Sequence, residues 1–252
     1  MTIYDMHCHL TFAQDARGVA SAARDAGIGA LSATVTPADF ETAGEALAEI
    51  GGMHAAVGLH PWQIADGACG QAERARFEEL CRTTRFIGEI GLDFAGERAT
   101  SRAIQIETLD RMLSACKATG ERKLMTFHAV RGTTDLLDLM ERHDATRDHD
   151  CILHWFSGTS DELTRARRLG CYFSLNARML ETKRGRAYAR AVSADRLLLE
   201  TDEPPHEGFA WDAQAWRSRL HATLDALAAA RDEDARDLGA IIAETSERLL
   251  GA

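Results

Sequence analysis

The amino-acid sequence predicts an α/β chain of the TIM-like (β/α)8 barrel class, built as a single domain over residues 1–252. Eight short apolar, β-prone runs recur along the chain, and each is followed by a stretch whose apolar residues repeat at three- and four-residue steps. Such alternation implies parallel strands joined by right-handed crossovers, and eight repeats close most economically into a barrel of ~250 residues. An open doubly wound sheet is the runner-up, but it calls for a Gly-rich fingerprint after the first strand, and the chain has none there.

The expected strands are 3–6, 30–35, 55–59, 86–90, 124–127, 151–155, 171–175 and 197–199. Helical patterns fill the intervals at 16–26, 37–50, 71–81, 101–119, 133–142, 161–169 and 182–191, and two more, 211–230 and 234–250, close the chain. Ser101 and the pair Asp161 and Glu162 suit helix N-termini, while Gly27, Gly51, Gly120 and Gly170 suit C-terminal stops.

Hydrophobic residues at 45% and charged residues at 27% describe an ordinary globular chain and exclude a disordered or fibrous one. No apolar stretch reaches membrane-spanning length, and the N-terminus lacks a basic segment followed by an apolar one, so a cytoplasmic protein without membrane attachment is expected. The six cysteines are scattered without a C-x-x-C pair, which points to reduced, buried thiols. A net charge of −10 repels polyanions and argues against nonspecific coating of duplex DNA. It leaves open a phosphodiester drawn to a local pair of metal ions.

Candidate ligands gather where strands should end, the place where barrel enzymes build their sites. His7 and His9, at spacing i, i+2, point to the same side of the first strand and suit one ion, whereas Cys8 between them faces the core. The fourth run leads into Glu89, the fifth into His128, the sixth into His154 and the eighth into Asp202. The expected centre holds two divalent ions, Mg, Mn or Zn: His7, His9 and Asp202 on one, His128 and His154 on the other, and Glu89 between them. Mixed nitrogen and oxygen ligation suits Zn or Mn better than Mg. Such a pair activates water for an in-line displacement, with Asp202 orienting it or accepting its proton and Glu89 sharing the catalytic role.

Each residue also has a plainer reading. A single strand-end histidine is more often structural than a ligand, and Glu89 would serve equally in an ion pair. His60, Arg131 and Arg178 are candidate substrate contacts, against a loop histidine held by Pro61 and Trp62 and against surface ion pairs. Trp155 and Phe156 either stack a base or seal the core. His206 is a possible rim residue, His54 and His221 have no evident partner, and His143 and His149 read as solvated surface in the charged stretch 141–150.

Taken in order, Asp5-Met-His7-Cys-His9-Leu10, Gly58-Leu-His60-Pro61, Ile87-Gly-Glu89-Ile-Gly-Leu-Asp93, His128, His154-Trp-Phe-Ser-Gly158 and Glu200-Thr-Asp202-Glu-Pro204 resemble the TatD family of metal-dependent deoxyribonucleases, in the amidohydrolase superfamily. The resemblance spans nearly the whole chain. It implies a TIM-like barrel, divalent metals on the six residues above, and phosphodiester hydrolysis, often as a 3′ to 5′ exonuclease on single-stranded DNA. The family's H-x-R after the fifth strand is here His128-Ala-Val-Arg131, the seventh strand leads into Ser174-Leu-Asn-Ala-Arg178 rather than a glycine-containing loop, and 94–99 makes a short loop after the fourth. These departures touch substrate loops and leave the ligand set intact.

The expected partner is therefore a DNA end or a small phosphodiester, with the oligomeric state left open. The alternative is an amidohydrolase or esterase acting on a small substrate. Many superfamily relatives bridge their metals with a carboxylated lysine, and no lysine lies near 86–90. A noncatalytic protein with structural metals is the third reading, disfavoured because structural sites are usually saturated tetrahedra.

Overall fold

The computed structural model describes residues 2–251; Met1 and Ala252, the two ends of the expected domain, lie outside the described residues. The strands are β1 (Ile3–Cys8), β2 (Ile28–Ala33), β3 (Met53–Ala56), β4 (Phe86–Asp93), β5 (Leu124–Val130), β6 (Asp150–His154), β7 (Tyr172–Leu175) and β8 (Leu197–Leu199). The helices begin with α1 (Ala16–Asp25), α2 (Pro37–Leu47), α3 (Pro61–Ala65), α4 (Gln71–Leu80), α5 (Arg102–Ala118) and α6 (Thr133–Arg142). They continue with α7 (Ala145–Asp148), α8 (Ser160–Leu169), α9 (Ala177–Glu181), α10 (Lys183–Ala191), α11 (Ala213–Arg231) and α12 (Ala235–Leu250). No helix among the described residues is long and apolar enough to cross a membrane.

The chain falls into two compact units. The first comprises Met1–Ser32, Thr42–Ala55 and Tyr172–Ala252. Within it β1 runs parallel to β2, with Ile3 opposite Ile28 and Asp5 opposite Ala30, and β7 runs parallel to β8. All six residues of β1 are buried, so the strand carries two polar side chains, Asp5 and His7, into the interior. Cys8 is fully buried, its thiol 3.6 Å from the Leu31 carbonyl, as a core residue. All six cysteines are buried and free.

Asp5 ties this unit together. Its carboxylate accepts from the backbone N–H groups of His7 (3.2 Å) and Thr201 (3.1 Å), from Thr201 Oγ1 (2.5 Å) and from Trp216 Nε1 (2.7 Å). Burial pushes its carboxyl up to about 7, and the donors from Thr201, Trp216 and His7 work against that rise. One side chain thus fixes β1, the exit from β8 and helix α11. Glu200 is also fully buried and is satisfied by Asn176 Nδ2 (2.8 Å) and by the Ser174 hydroxyl.

The second unit comprises Ala33–Glu41 and Ala56–Cys171. Strands β4, β5 and β6 are parallel neighbours, with Gly91 opposite His128 and Phe127 opposite Leu153. The backbone of Glu89 is clamped twice: its N–H donates to Thr34 O (2.8 Å), and its carbonyl accepts from Leu59 N (3.0 Å). Gly58 is required at this crossing, since a Cβ there would lie 1.6 Å from the Thr34 carbonyl oxygen. Gly91, at φ +146°, leaves no more room: its Cβ would meet His128 O at 2.0 Å. Beyond it, Gln105 of α5 holds both backbone groups of Asp93 at 2.8 Å.

Several boundaries differ from the sequence reading. β2 and β3 start two residues earlier than expected, β2 where Ile28 pairs with Ile3, and both end before Thr34 and Val57, which bond to β4 residues instead: Thr34 N to Gly88 O (3.0 Å) and Val57 N to Phe86 O (3.0 Å). Helix α8 starts at Ser160 because Thr159 forms the cap, accepting from Glu162 N (3.2 Å) while Glu162 accepts from Thr159 N (2.7 Å). The short helices α3, α7 and α9 have too few residues to show a period. His149 is buried rather than solvated: its Nδ1 accepts from Lys123 N (3.2 Å), and burial lowers its pKa. His143, half-buried, pairs with Asp110 at 2.9 Å.

Trp216→Phe keeps the aromatic packing of this fully buried side chain but removes the indole donor to Asp5. Above about pH 8, where Asp5 is ionised, a hydrogen bond to this buried charged group is worth about 1.5–3 kcal/mol, so the urea midpoint should fall by that equivalent at unchanged m-value. An unchanged midpoint would show that Asp5 does not depend on this donor.

Candidate functional site

Three of the expected ligands lie together in the first unit. His7 leaves β1 fully buried, and His9 follows at the start of a 3-10 turn (Leu10–Phe12); their rings are 5.2 Å apart and nearly perpendicular. Both imidazoles turn Nε2 toward one oxygen, Asp202 Oδ1, at 3.8 Å for His7 and 3.2 Å for His9. Asp202 sits at φ +57°, in the left-handed region that a residue bearing a Cβ seldom adopts. Its N–H donates to His7 O (3.0 Å), and His9 N donates to Glu203 O (2.8 Å), so the backbone locks these ligands to each other. Arg219 pairs with Glu203 beside them.

The second unit gathers the remaining three, together with His60. Glu89, 2% exposed, faces three imidazole nitrogens with a single oxygen, Oε1: His128 Nδ1 at 2.8 Å, His154 Nε2 at 3.0 Å and His60 Nε2 at 3.2 Å. His60 Nδ1 accepts from Trp62 N (3.1 Å), so its ring proton sits on Nε2 and is donated to Glu89. Its two nitrogens are thereby engaged, and His60 holds the carboxylate in place.

His128 is the pivotal imidazole. Its Nε2 lies 3.2 Å from Asp93 Oδ2, a carboxylate that also accepts from Trp62 Nε1 (2.6 Å) and Ala95 N (2.8 Å). Burial would raise Asp93, but the His128 and Trp62 donors hold it at about 2. Burial would lower His128, yet Asp93 and Glu89 outweigh it and raise the imidazole above its ordinary value. With Asp93 ionised, Nε2 carries a proton toward it, and Nδ1 confronts the Glu89 oxygen.

This arrangement suits a cation. One carboxylate oxygen has lone pairs for two donors, and here three nitrogens face it within 3.2 Å. His128 Nδ1 and His154 Nε2 would hold a divalent ion in place of the protons that otherwise crowd this oxygen, and Asp93 behind His128 would give the carboxylate–histidine support usual for a ligating ring. Among the substrate candidates, Arg131 is exposed at φ +55° after β5, and Arg178 is exposed in α9. Trp155, at φ +39°, is half-buried and Phe156 is buried; His206 is exposed and bonds to Glu207 O (3.0 Å). Asp93 stands in the quoted Gly-Leu-Asp93 run, but its second role, gripping Trp62, rests on a contact between residues 31 positions apart that no local pattern encodes.

The raised pKa of His128 fixes a sign. In chelator-treated protein, protonated His128 between two carboxylates contributes stability that is full below its unfolded pKa of ~6.5 and is lost as pH rises through its higher folded value. Metal binding displaces that proton, so apparent Zn²⁺ or Mn²⁺ affinity should rise with pH over the same interval. Calorimetric melts with and without metal across pH 6–9 should therefore show slopes of opposite sign near neutrality. Parallel profiles would exclude His128 as a ligand.

Comparison with known proteins places the chain in a family. The family model described as TatD related DNase matches residues 4–251. A curated relative, the 3′-5′ ssDNA/RNA exonuclease TatD of Yersinia pseudotuberculosis serotype O:3 (strain YPIII), is 27% identical over 211 residues, covering 80% of this chain and 79% of the relative. Among solved structures, YJJV, a TatD homolog from Escherichia coli K12, superposes with a TM-score of 0.81 at 22% identity, over 98% of this chain and 97% of its own. An uncharacterized amidohydrolase from Saccharomyces cerevisiae gives 0.75 at 16% identity over 99% of both chains. These likenesses establish the TIM-like (β/α)8 fold class read from the sequence. With its family model matched almost end to end, the chain belongs to the TatD-related DNase family and is a metal-dependent hydrolase acting on ester bonds.

Proposed function

We propose that this hydrolase cleaves phosphodiester bonds of single-stranded DNA, proceeding from the 3′ end. The observation that carries the reading is the crowding of three imidazole nitrogens on Glu89 Oε1. In this assignment one divalent ion would be held by His7, His9 and Asp202, and a second by Glu89, His128 and His154. When bound, the ions supply Lewis-acid polarisation of the phosphate and a water of lowered pKa. Asp202, besides helping to hold the first ion, would orient the attacking water and accept its proton through its carboxylate. His60 keeps Glu89 from rotating by donating to Oε1, and Asp93 keeps His128 turned toward it. Arg131 and Arg178 are assigned to the non-bridging phosphate oxygens, which a guanidinium grips through paired N–H donors. The related Yersinia exonuclease, named for ssDNA and RNA, supports this substrate class.

A second reading, hydrolysis of a small ester or amide, draws on the net charge of −10 and on the structural likeness to an amidohydrolase. The two separate in one experiment. Protein of measured metal content is incubated with Mg²⁺, Mn²⁺ or Zn²⁺ and 5′-labelled single-stranded oligonucleotides, alongside an ester and amide panel. The expected outcome is a ladder shortened from the 3′ end, abolished by chelator, with Glu89→Gln slowed by about 10²–10⁴-fold in a protein of unchanged circular dichroism. No cleavage at full metal occupancy, with turnover on the panel instead, would favour the small-substrate reading.

A further inference from the structure

Trp62 is an oddity of this surface. Of the described large hydrophobic side chains only Trp62 (43%) and Ile241 (40%) are exposed, and Trp62 alone abuts the histidine cluster, with ring centroids 5.0 Å from His60 and 6.2 Å from His128. The indole does not merely cap that cluster. Its N–H is committed to the buried Asp93 carboxylate at 2.6 Å, which fixes the ring while much of it stays in water. The Arg98 guanidinium lies over the same ring, 4.2 Å from its centroid. Arg98 has no carboxylate in ion-pair range among the described residues, although the chain carries a net charge of −10, and its Nε is buried without a hydrogen-bond partner. A rigid, half-wet aromatic plane beside an uncompensated guanidinium matches the two parts of a nucleotide: a flat base and an anionic phosphate.

Resting on the phosphodiesterase reading above, we infer that Trp62 and Arg98 form a nucleotide subsite, in which the indole stacks on one base of a single strand and the guanidinium faces the adjoining phosphate. Arg98 lies in a 3-10 turn (Gly96–Ser101) that follows β4, and Trp62 opens α3, so the subsite is built by two segments of the unit that carries Glu89. Because every base has a π-face, the contact is tolerant of sequence, as an exonuclease requires. The same carboxylate, Asp93, positions both the stacking ring and His128, placing the bound nucleotide beside the imidazoles.

The test uses full-length, chelator-treated protein and labelled oligothymidylate, compared by fluorescence anisotropy with a strand of equal length that lacks bases. Stacking of one base on an aromatic side chain corresponds to roughly five- to a hundredfold in affinity. Wild type should prefer the intact strand by about tenfold, Trp62→Ala should bind the two strands within about threefold of each other, and Trp62→Phe should restore most of the preference. Arg98→Ala should weaken both strands alike and lower the slope of log affinity against log salt by about 0.7. A wild type that fails to bind or to prefer the intact strand, or a Trp62→Ala variant that keeps the full preference, overturns the subsite. If metal-loaded wild type still degrades the oligonucleotide in that case, the phosphodiesterase reading stands alone; if it degrades nothing, both fall.

Discussion

A carboxylate taken out of water costs several kcal/mol unless donors or cations surround it, and among the described residues four are buried in or just after strands: Asp5 in β1, Glu89 and Asp93 in β4, and Glu200 after β8. How each is compensated organises the rest. Asp5 and Glu200 are satisfied by the chain itself, through backbone N–H groups, hydroxyls, an amide and an indole. Those carboxylates act as structural pins. Asp5 aligns β1 with the segment after β8, and through them the pair His7 and His9 with Asp202.

Glu89 is compensated differently. Its backbone is clamped by Thr34 and Leu59, so the side chain has little freedom, yet the groups its carboxylate meets are imidazoles rather than the amides and hydroxyls that serve Asp5. Imidazoles exchange a proton for a metal near neutral pH, which backbone amides do not. Asp93 stands between the two kinds: Ala95 and Trp62 serve it as structural donors, and His128 links it to the exchangeable set. Glycines make the tight geometry possible, since Gly58 and Gly91 let neighbouring backbone approach where any Cβ would collide.

Much of this was legible in the sequence because it is local or periodic. The i, i+2 spacing of His7 and His9 and the placing of Glu89, His128, His154 and Asp202 in or just after strands follow from strand geometry; His9 lies beside Asp202, and His128 and His154 lie beside Glu89. Long helices were found to within a few residues because their apolar faces repeat. What stayed hidden depends on partners distant in sequence. His149 looked solvated among charges, yet it is buried and bonded to Lys123 N; Asp5 passed as the start of a motif, yet it is fully buried and bonded to Trp216, 211 residues away. Trp62 read as a prop for His60, and only its bond to Asp93 and the cover of Arg98 reveal a rigid exposed ring.

That Glu89 with its imidazoles seats a cation is tested most directly by Co²⁺ titration of chelator-stripped protein, followed by visible absorption and by equivalents bound per chain. Wild type should saturate with a spectrum of mixed nitrogen and oxygen ligation, and Glu89→Ala should lose at least one equivalent while remaining folded. A Glu89→Ala variant with the same stoichiometry and spectrum as wild type would contradict it.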